Sequence, residues 1–288
     1  MLERILVPLD GSERSEAVLT QVRRLLRRKD AEVLLLQVAE VDYLPTYESS
    51  RLRTDLPDLA QQYVRRLARR LEEEGIRTRP LVATGAAAPE ILAAASDHHA
   101  SLIAMSTHGR TGLERWSMGS VTEKILRASP VPVLALRSFP AQPKEQPFRR
   151  ILVPIDVSDR SREVLPCASE FARLYDADVL VVTVSDIVPT PDRRIPPPSP
   201  PGPAAQDLLD RAVGLFQSSG NRASGLILHG DPASQIVDLC PRETIDLVVM
   251  ATHGRSGPLR WMLGSVTEKV LRAATVPMLV VRTRNERL

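Results

Sequence analysis

Aromatic side chains are scarce: two Trp, four Tyr and four Phe make up 3% of the 288 residues. So few rings supply little of the stacking surface on which single-stranded nucleic acid is held. Cysteine is scarcer still. Cys167 and Cys240 have no metal-ligand spacing and no counterparts in the first half, so they read as ordinary buried or half-buried thiols rather than a disulfide or redox pair. No apolar run approaches the roughly 20 residues of a membrane span. The opening MLERILVPLDGSE turns acidic and glycine-containing too early for a signal peptide. These features predict a cytoplasmic protein with no membrane partner. Charge of one sign is not in excess either: the formal net charge is +3, although the isoelectric point is near 9.1. The clusters Arg23-Arg24…Arg27-Arg28-Lys29 and Arg65-Arg66…Arg69-Arg70 lie opposite the stripes Val18, Val22, Leu25 and Val64, Leu67, Leu71. That helical spacing makes them solvated faces of amphipathic helices rather than a nucleic-acid interface. Two phosphate-binding signatures are missing. Without G-x-x-x-x-G-K-[ST] the chain is not a P-loop NTPase, and the lack of G-x-G-x-x-G argues against a dinucleotide-binding Rossmann domain.

What the chain does have is a long internal repeat. STHGRTGLERWSMGSVTEKILRA at 106–128 returns as ATHGRSGPLRWMLGSVTEKVLRA at 251–273, identical at 16 of 23 positions. The first strand repeats as well, Arg4-Ile5-Leu6-Val7-Pro8-Leu9-Asp10 reappearing as Arg150-Ile151-Leu152-Val153-Pro154-Ile155-Asp156. A period this long means a duplicated domain, not a solenoid. It predicts domains at 1–140 and 148–288, joined by a proline-bearing linker. Within each half, short continuous apolar runs alternate with amphipathic helical stretches. That is the pattern of an α/β fold: two repeated open sandwiches, each a five-stranded parallel sheet with helices on both faces.

In the first half the strands fall at 4–9, 32–38, 78–83, 101–105 and near 131–137. The Asp10-Gly11-Ser12 turn caps a helix over about 13–28, and 42–57 reads as irregular. A helix then runs to about Glu74 with Gly75 as its cap, and a short helix covers 89–96. The second half repeats the order, with helices over 161–174, 204–218 and 232–239. Its proline-rich stretch Pro196-Pro197-Pro198-Ser199-Pro200-Pro201 reads as a stiff surface loop, the other reading being a partner motif.

The duplicated stretch carries the chemistry. Each copy follows a strand and holds two glycines, Gly109 and Gly119 or Gly254 and Gly264, the second just before a serine, Ser120 or Ser265. Ser120 with Glu123, and Ser265 with Glu268, match the S-x-x-E capping box, so a purely structural helix start is one reading. The other is an anion site: the loop ends at a helix N-terminus, at the strand carboxyl ends where open parallel sheets take their ligands. Asp10 and Asp156 end the first strand of each half at the same edge, where a carboxylate accepts hydrogen bonds from a ribose or a base amine. His108 and His253 have no nucleophile or metal partner spaced around them and read as loop-fixing rather than as bases. Arg110 and Arg255 stand between phosphate contacts and solvated side chains. Trp116 and Trp261 read as anchors of the loop.

On these residues the sequence resembles a tandem universal stress protein of the ATP-binding branch, over essentially the whole chain. The G-x2-G-x9-G-S/T loop of that branch appears as Ser106, Gly109, Gly119, Ser120 and again as Ala251, Gly254, Gly264, Ser265. The V-P-x-D element of its first strand appears as Val7-Pro8-Leu9-Asp10 and Val153-Pro154-Ile155-Asp156. The resemblance implies an adenine nucleotide alpha hydrolase-like fold and ATP as ligand, with or without magnesium or manganese. It implies an adenosine pocket made by Pro8, Leu9, Asp10, Val38 and Met105, and by Pro154, Ile155, Asp156, Val184 and Met250. It places the phosphates on Gly109, Arg110, Gly119, Ser120, Val121 and Thr122, and on Gly254, Arg255, Gly264, Ser265, Val266 and Thr267. It implies pairing of the two domains through their last strands, 133–137 and 278–282, and is compatible with self-association of chains. No catalytic residue and no protein metal ligand is expected. Both copies depart from the motif at its first glycine, and the second has Val157 in place of Gly11 and Pro258 in its loop. A nucleotide-dependent regulator is the function implied, a scaffold of the same fold its alternative.

Overall fold

The computed structural model describes residues 2–26, 30–40, 47–107, 118–137, 148–156, 163–185, 203–252 and 263–282, the side chains of 47–55 and 203 excepted. The chain divides into two compact units, 1–146 and 147–288. The first unit runs β1 (Arg4–Leu9), α1 (Glu13–Glu16), α2 (Val18–Leu26), β2 (Glu32–Ala39), α3 (Tyr47–Glu73), β3 (Thr78–Thr84), α4 (Ala87–Asp97), β4 (Leu102–Ser106), α5 (Ser120–Ala128) and β5 (Val133–Leu136). The second runs β6 (Arg150–Pro154), α6 (Val164–Tyr175), β7 (Asp178–Ser185), α7 (Pro203–Ser218), β8 (Ala223–His229), α8 (Pro232–Arg242), β9 (Leu247–Ala251), α9 (Ser265–Ala273) and β10 (Met278–Val281).

The strand order in the first unit is β3-β2-β1-β4-β5, and in the second β8-β7-β6-β9-β10. Every described pairing within a unit is parallel. Ile5, Leu6 and Val7 are fully buried, as are Leu102, Ile103 and Ala104 beside them, which is why these strands are apolar at every position rather than at alternate ones. Right-handed crossovers then fix the layers. From β1 the chain moves one way through β2 to β3, and it returns past β1 to β4 and β5. The helices α1, α2 and α3 therefore lie on one face, and α4 and α5 on the other. The reversal between β1 and β4 opens a cleft at the strand carboxyl ends.

Local chemistry sets the boundaries. Ser12 caps α1, its Oγ accepting from the Ser15 amide at 3.2 Å. The helix expected over 13–28 is interrupted at Ala17, next to a point where the Ser15 hydroxyl bonds back to the Ser12 carbonyl at 2.8 Å. Gly75, at φ 81°, ends α3: its amide bonds the Glu72 carbonyl at 2.9 Å, and the Ile76 amide bonds that of Leu71 at 3.0 Å. The start of α3 differs from expectation. Residues 47–56, read as irregular, are helical, and Pro57 sits inside the helix. A proline forfeits one backbone bond and strains the turn before it, yet α3, which packs on β2 and β3 and buries Ala60, Val64, Leu67, Ala68 and Leu71 beyond the proline, continues through. In α2, Arg24 is not on the solvated face. It is 2% exposed and donates to the Gln21 Oε1 at 2.8 Å. Arg65, Arg66, Arg69 and Arg70 are exposed, as their spacing requires.

Of the two thiols, Cys240 is buried and Cys167 partly so. Burial pushes the Cys167 thiol up to about 12, with the Glu170 carboxylate adding to it, and the Cys240 thiol up to about 11. Among the described residues no helix is long and apolar enough to cross a membrane. The linker at 138–147 and the proline-rich stretch at 196–201 lie outside the described residues.

Candidate functional site

A cavity of about 710 Å³ occupies the cleft of the first unit. Its floor is the ends of β1 and β2, with Pro8, Leu9, Asp10 and Gly11 from the first and Leu36 to Glu40 from the second. Leu56, Leu59, Ala60 and Tyr63 of α3 form one wall, and Ala87 and Ile91 of α4 another. Met105 and Ser106 end β4 beneath it, and Gly119, Ser120, Val121 and Thr122 begin α5 at its far side.

Asp10 is positioned by its own turn. Its Oδ1 accepts from the Ser12 amide at 3.0 Å and the Ser12 hydroxyl at 2.6 Å. Gly11 has φ 82° there, a conformation that a β-branched side chain resists. Val157 stands at this position in the second copy, beyond the described residues. Beside Asp10, the Tyr63 hydroxyl donates to Glu16 Oε1 at 2.9 Å. Burial above all, then the bond to Glu16 and the negative charges of Glu16 and Asp10, raise the Tyr63 phenol well above its ordinary value and keep it protonated.

At the far side the capping-box expectation is corrected. The residue that caps α5 is Gly119, and Ser120 is the first helical residue with its side chain exposed; no side chain caps the helix. Glu123 turns away to pair with Arg127 one turn on. The second copy does the same. Gly264 caps α9 without a side-chain bond, Ser265 begins it, and Glu268 pairs with Arg272 at 2.5 Å. The capping-box pattern fails because the glycine, not the serine, holds the extended cap conformation, at φ −61° and ψ 141°. Gly119 is held by its amide on the Thr107 carbonyl at 3.0 Å, and a Cβ there would stand 3.2 Å from that same oxygen. Thr122 anchors the turn from below, its hydroxyl donating to the Ser106 and Thr107 carbonyls at 3.3 and 3.4 Å. The amides of Ser120, Val121 and Thr122 have no acceptor within the helix.

The neighbouring helix is built differently. The Ala87 amide of α4 donates to the Glu40 carboxylate at 3.2 Å. In the second unit, Asp231 caps α8 by accepting from the Ser234 amide at 2.9 Å and meets Lys269 at 3.4 Å. Among the described residues, the starts of α4 and α8 are thus met by a carboxylate and those of α5 and α9 by none. The open start suits an anion, and the carboxylate of Asp10 suits hydroxyl or amine donors at the opposite end.

The cleft therefore brings together Pro8, Leu9, Asp10, Val38, Met105, Gly119, Ser120, Val121 and Thr122 from widely separated parts of the sequence. In the second unit Pro154 ends β6, with Ile155 and Asp156 directly after it, Val184 lies at the end of β7, Met250 at the end of β9, and Ser265, Val266 and Thr267 open α9. Thr267 repeats the anchor of Thr122, donating to the Ala251 carbonyl at 2.9 Å. Gly109, Arg110, Gly254 and Arg255, with His108, His253, Trp116, Trp261 and Pro258, lie outside the described residues. The sequence reading missed Leu56, Tyr63, Glu40 and Gln37, which join the cavity from α3 and β2 or, for Glu40, fill the start of α4. Among the described residues no group of three or more His, Cys, Asp or Glu side chains is placed to hold a metal.

A doubly wound α/β domain with its cleft at the strand reversal, present twice in one chain, defines the class. The universal stress protein family model matches residues 1–137 and again 147–282. The chain therefore belongs to the universal stress protein family, in a tandem form. Universal stress protein MJ0531 of Methanocaldococcus jannaschii is 31% identical over 147 residues, 48% of this chain and 84% of its own length. MJ0577 of the same organism is 28% identical over 155 residues, 48% of this chain and 96% of its own. The crystal structure of a universal stress protein from Archaeoglobus fulgidus matches 97% of this chain and 98% of its own at a TM-score of 0.77 and 21% identity. That likeness establishes the fold of the whole chain.

Proposed function

We propose that this chain is an ATP-binding regulator of the stress response, with one adenine-nucleotide site per unit. The observation that carries the reading is the first unit's cleft. It joins a carboxylate, Asp10, to an uncapped helix start at Gly119–Thr122 across one 710 Å³ cavity. That volume falls in the range of small-molecule sites, and its two ends complement the two ends of a nucleotide. Asp10 and the apolar residues Leu9, Val38 and Met105 hold the nucleoside, while the open amides and the Ser120 hydroxyl hold the phosphates. ATP supplies the charge that those amides lack. The role of this chain's described residues is to bind and orient it, and turnover is slow or absent.

In the second unit Asp156, Gly264, Ser265, Val266 and Thr267 take the corresponding roles. The units pair through their last strands, and the chain works in the cytoplasm. A scaffold of the same fold is favoured by one observation, the replacement of the motif's first glycine by Ser106 and Ala251, which narrows the approach to the loop backbone. Calorimetric titration with ATP separates the two. Micromolar binding that falls at least tenfold in Asp10→Ala supports the nucleotide reading, and no heat of binding to folded wild-type protein supports the scaffold.

A further inference from the structure

Resting on that reading, we propose that Tyr63 is the base-stacking residue of the first site, laying one face of its ring against the purine. Tyr63 is half-buried and is the one aromatic side chain among the described residues that line the cavity. Its ring is held at both ends. The backbone belongs to α3, and the hydroxyl reaches across to α1, donating to Glu16 Oε1 at 2.9 Å. The ring therefore bridges the two helices close to Asp10, whose charge it feels, at the nucleoside end of the cleft. A side chain fixed in this way gives up little freedom when a ligand meets it.

The two faces of the ring differ. One carries the Arg66 guanidinium, whose central carbon lies 5.5 Å from the ring centroid, within the range of a cation–π contact. Arg66 is exposed, so that face is the outer one. The opposite face is left to the cavity, where Leu9, Val38 and Met105 supply further apolar surface. Rings in a packed core cover one another: Phe148, Phe171 and Tyr175 of the second unit meet at centroid distances of 5.3, 5.2 and 4.6 Å. Tyr63 has no ring neighbour among the described residues, and a purine entering the cleft provides one. Stacking of this kind accepts any base, because every base has a π-face, so Tyr63 contributes affinity rather than a choice among purines. The second unit lacks the ring. Tyr63 stands twelve residues before Gly75 as Leu208 stands twelve before Gly220, the left-handed glycines that follow α3 and α7, and Leu208 is buried.

The test compares Tyr63→Phe with Tyr63→Leu, which installs the second unit's residue. Both lose the bond to Glu16 and only the second loses the ring, so their difference isolates stacking from the hydroxyl. Calorimetric titrations with ATP use the full chain carrying Gly264→Asp, so that the first site alone is filled. The expected result is a dissociation constant raised roughly tenfold in Tyr63→Leu and within about threefold of the parent in Tyr63→Phe. A second readout is spectroscopic and serves if Tyr63→Leu does not fold. Tyr63→Trp, in a chain also carrying Trp116→Phe and Trp261→Phe, leaves a single indole at the site, and ATP should quench its emission. ATP affinity unchanged in Tyr63→Leu, an equal loss in Tyr63→Phe, or an emission that ATP binding leaves unaltered overturns the stacking role and leaves the nucleotide site standing. Absence of ATP binding by the folded parent overturns the site and the role of Tyr63 with it.

Discussion

Replacing Gly119 with aspartate separates the structural from the ligand-binding role of the helix start. Gly119 already holds the extended backbone of an N-cap, at φ −61° and ψ 141°, so aspartate is accommodated there without backbone strain. Its carboxylate accepts from the free amides of the first turn. A cap of this kind improves on glycine by a few tenths of a kcal/mol, and its charge at the positive end of α5 adds about 0.3–1 kcal/mol. Against this stands one contact, the new Cβ at 3.2 Å from the Thr107 carbonyl, which asks that oxygen to give by a few tenths of an ångström. The net change in stability is within about 1 kcal/mol, or about 2–8 °C in Tm for units of this size. The effect on the ligand is far larger. A carboxylate about 4 Å from a phosphate costs roughly 4 kcal/mol at an effective dielectric constant near 20, close to a thousandfold in affinity. Gly119→Asn is the control, with the same cap and no charge. The assay is calorimetric titration with ATP in Gly119→Asp, Gly264→Asp and the double variant, paired with thermal melts. The expected outcome is loss of the corresponding site at nearly unchanged Tm, with Gly119→Asn losing much less. A folded Gly119→Asp/Gly264→Asp protein that binds ATP as the wild type does would refute the assignment of the helix start.

Two further predictions concern packing and charge. A Cβ at Gly225 of β8 would stand 2.7 Å from Leu209 Cγ on the buried side of α7, so Gly225→Ala costs about 1–3 kcal/mol by overpacking; urea unfolding should show it and Leu209→Ala in the same chain should relieve it, whereas additive losses would contradict the contact. The Tyr63 phenol has its pKa raised on folding, first by burial and then by Glu16, so its contribution is fully present below the unfolded value near 10 and declines as pH rises beyond it. The stability difference between wild type and Tyr63→Phe should therefore shrink above about pH 10, and a difference that stays constant from pH 8 to 10.5 argues against the Tyr63–Glu16 pair.

How much of this was legible in the sequence follows from the range of each interaction. The strands were legible because burial on both faces writes an unbroken apolar run, as in Ile5-Leu6-Val7, and the ends of α3 and α1 because Gly75 and Ser12 act on backbone groups only a few residues away. The edge of the cleft was legible for the same reason at Asp10 and Gly119, whose spacing within a repeated motif marks them. The errors lie where the deciding partner is remote. Ser120 fits a local capping pattern, yet the cap is set by Thr107 holding the Gly119 amide from the end of another strand. Pro57 looks like a break, yet α3, which packs on β2 and β3, runs through it. Tyr63 meets Glu16 across 47 residues, and Glu40 meets Ala87 across 47. Nothing in the local sequence marks either pair.

The central claim is that the cleft holds an adenine nucleotide, and its most direct test is the nucleotide content of the purified protein. Denaturing the chain and resolving the supernatant by ion-exchange chromatography should release ATP or ADP, approaching two per chain when the protein is first saturated with ATP and desalted. Folded protein that releases none, before or after saturation, contradicts the account.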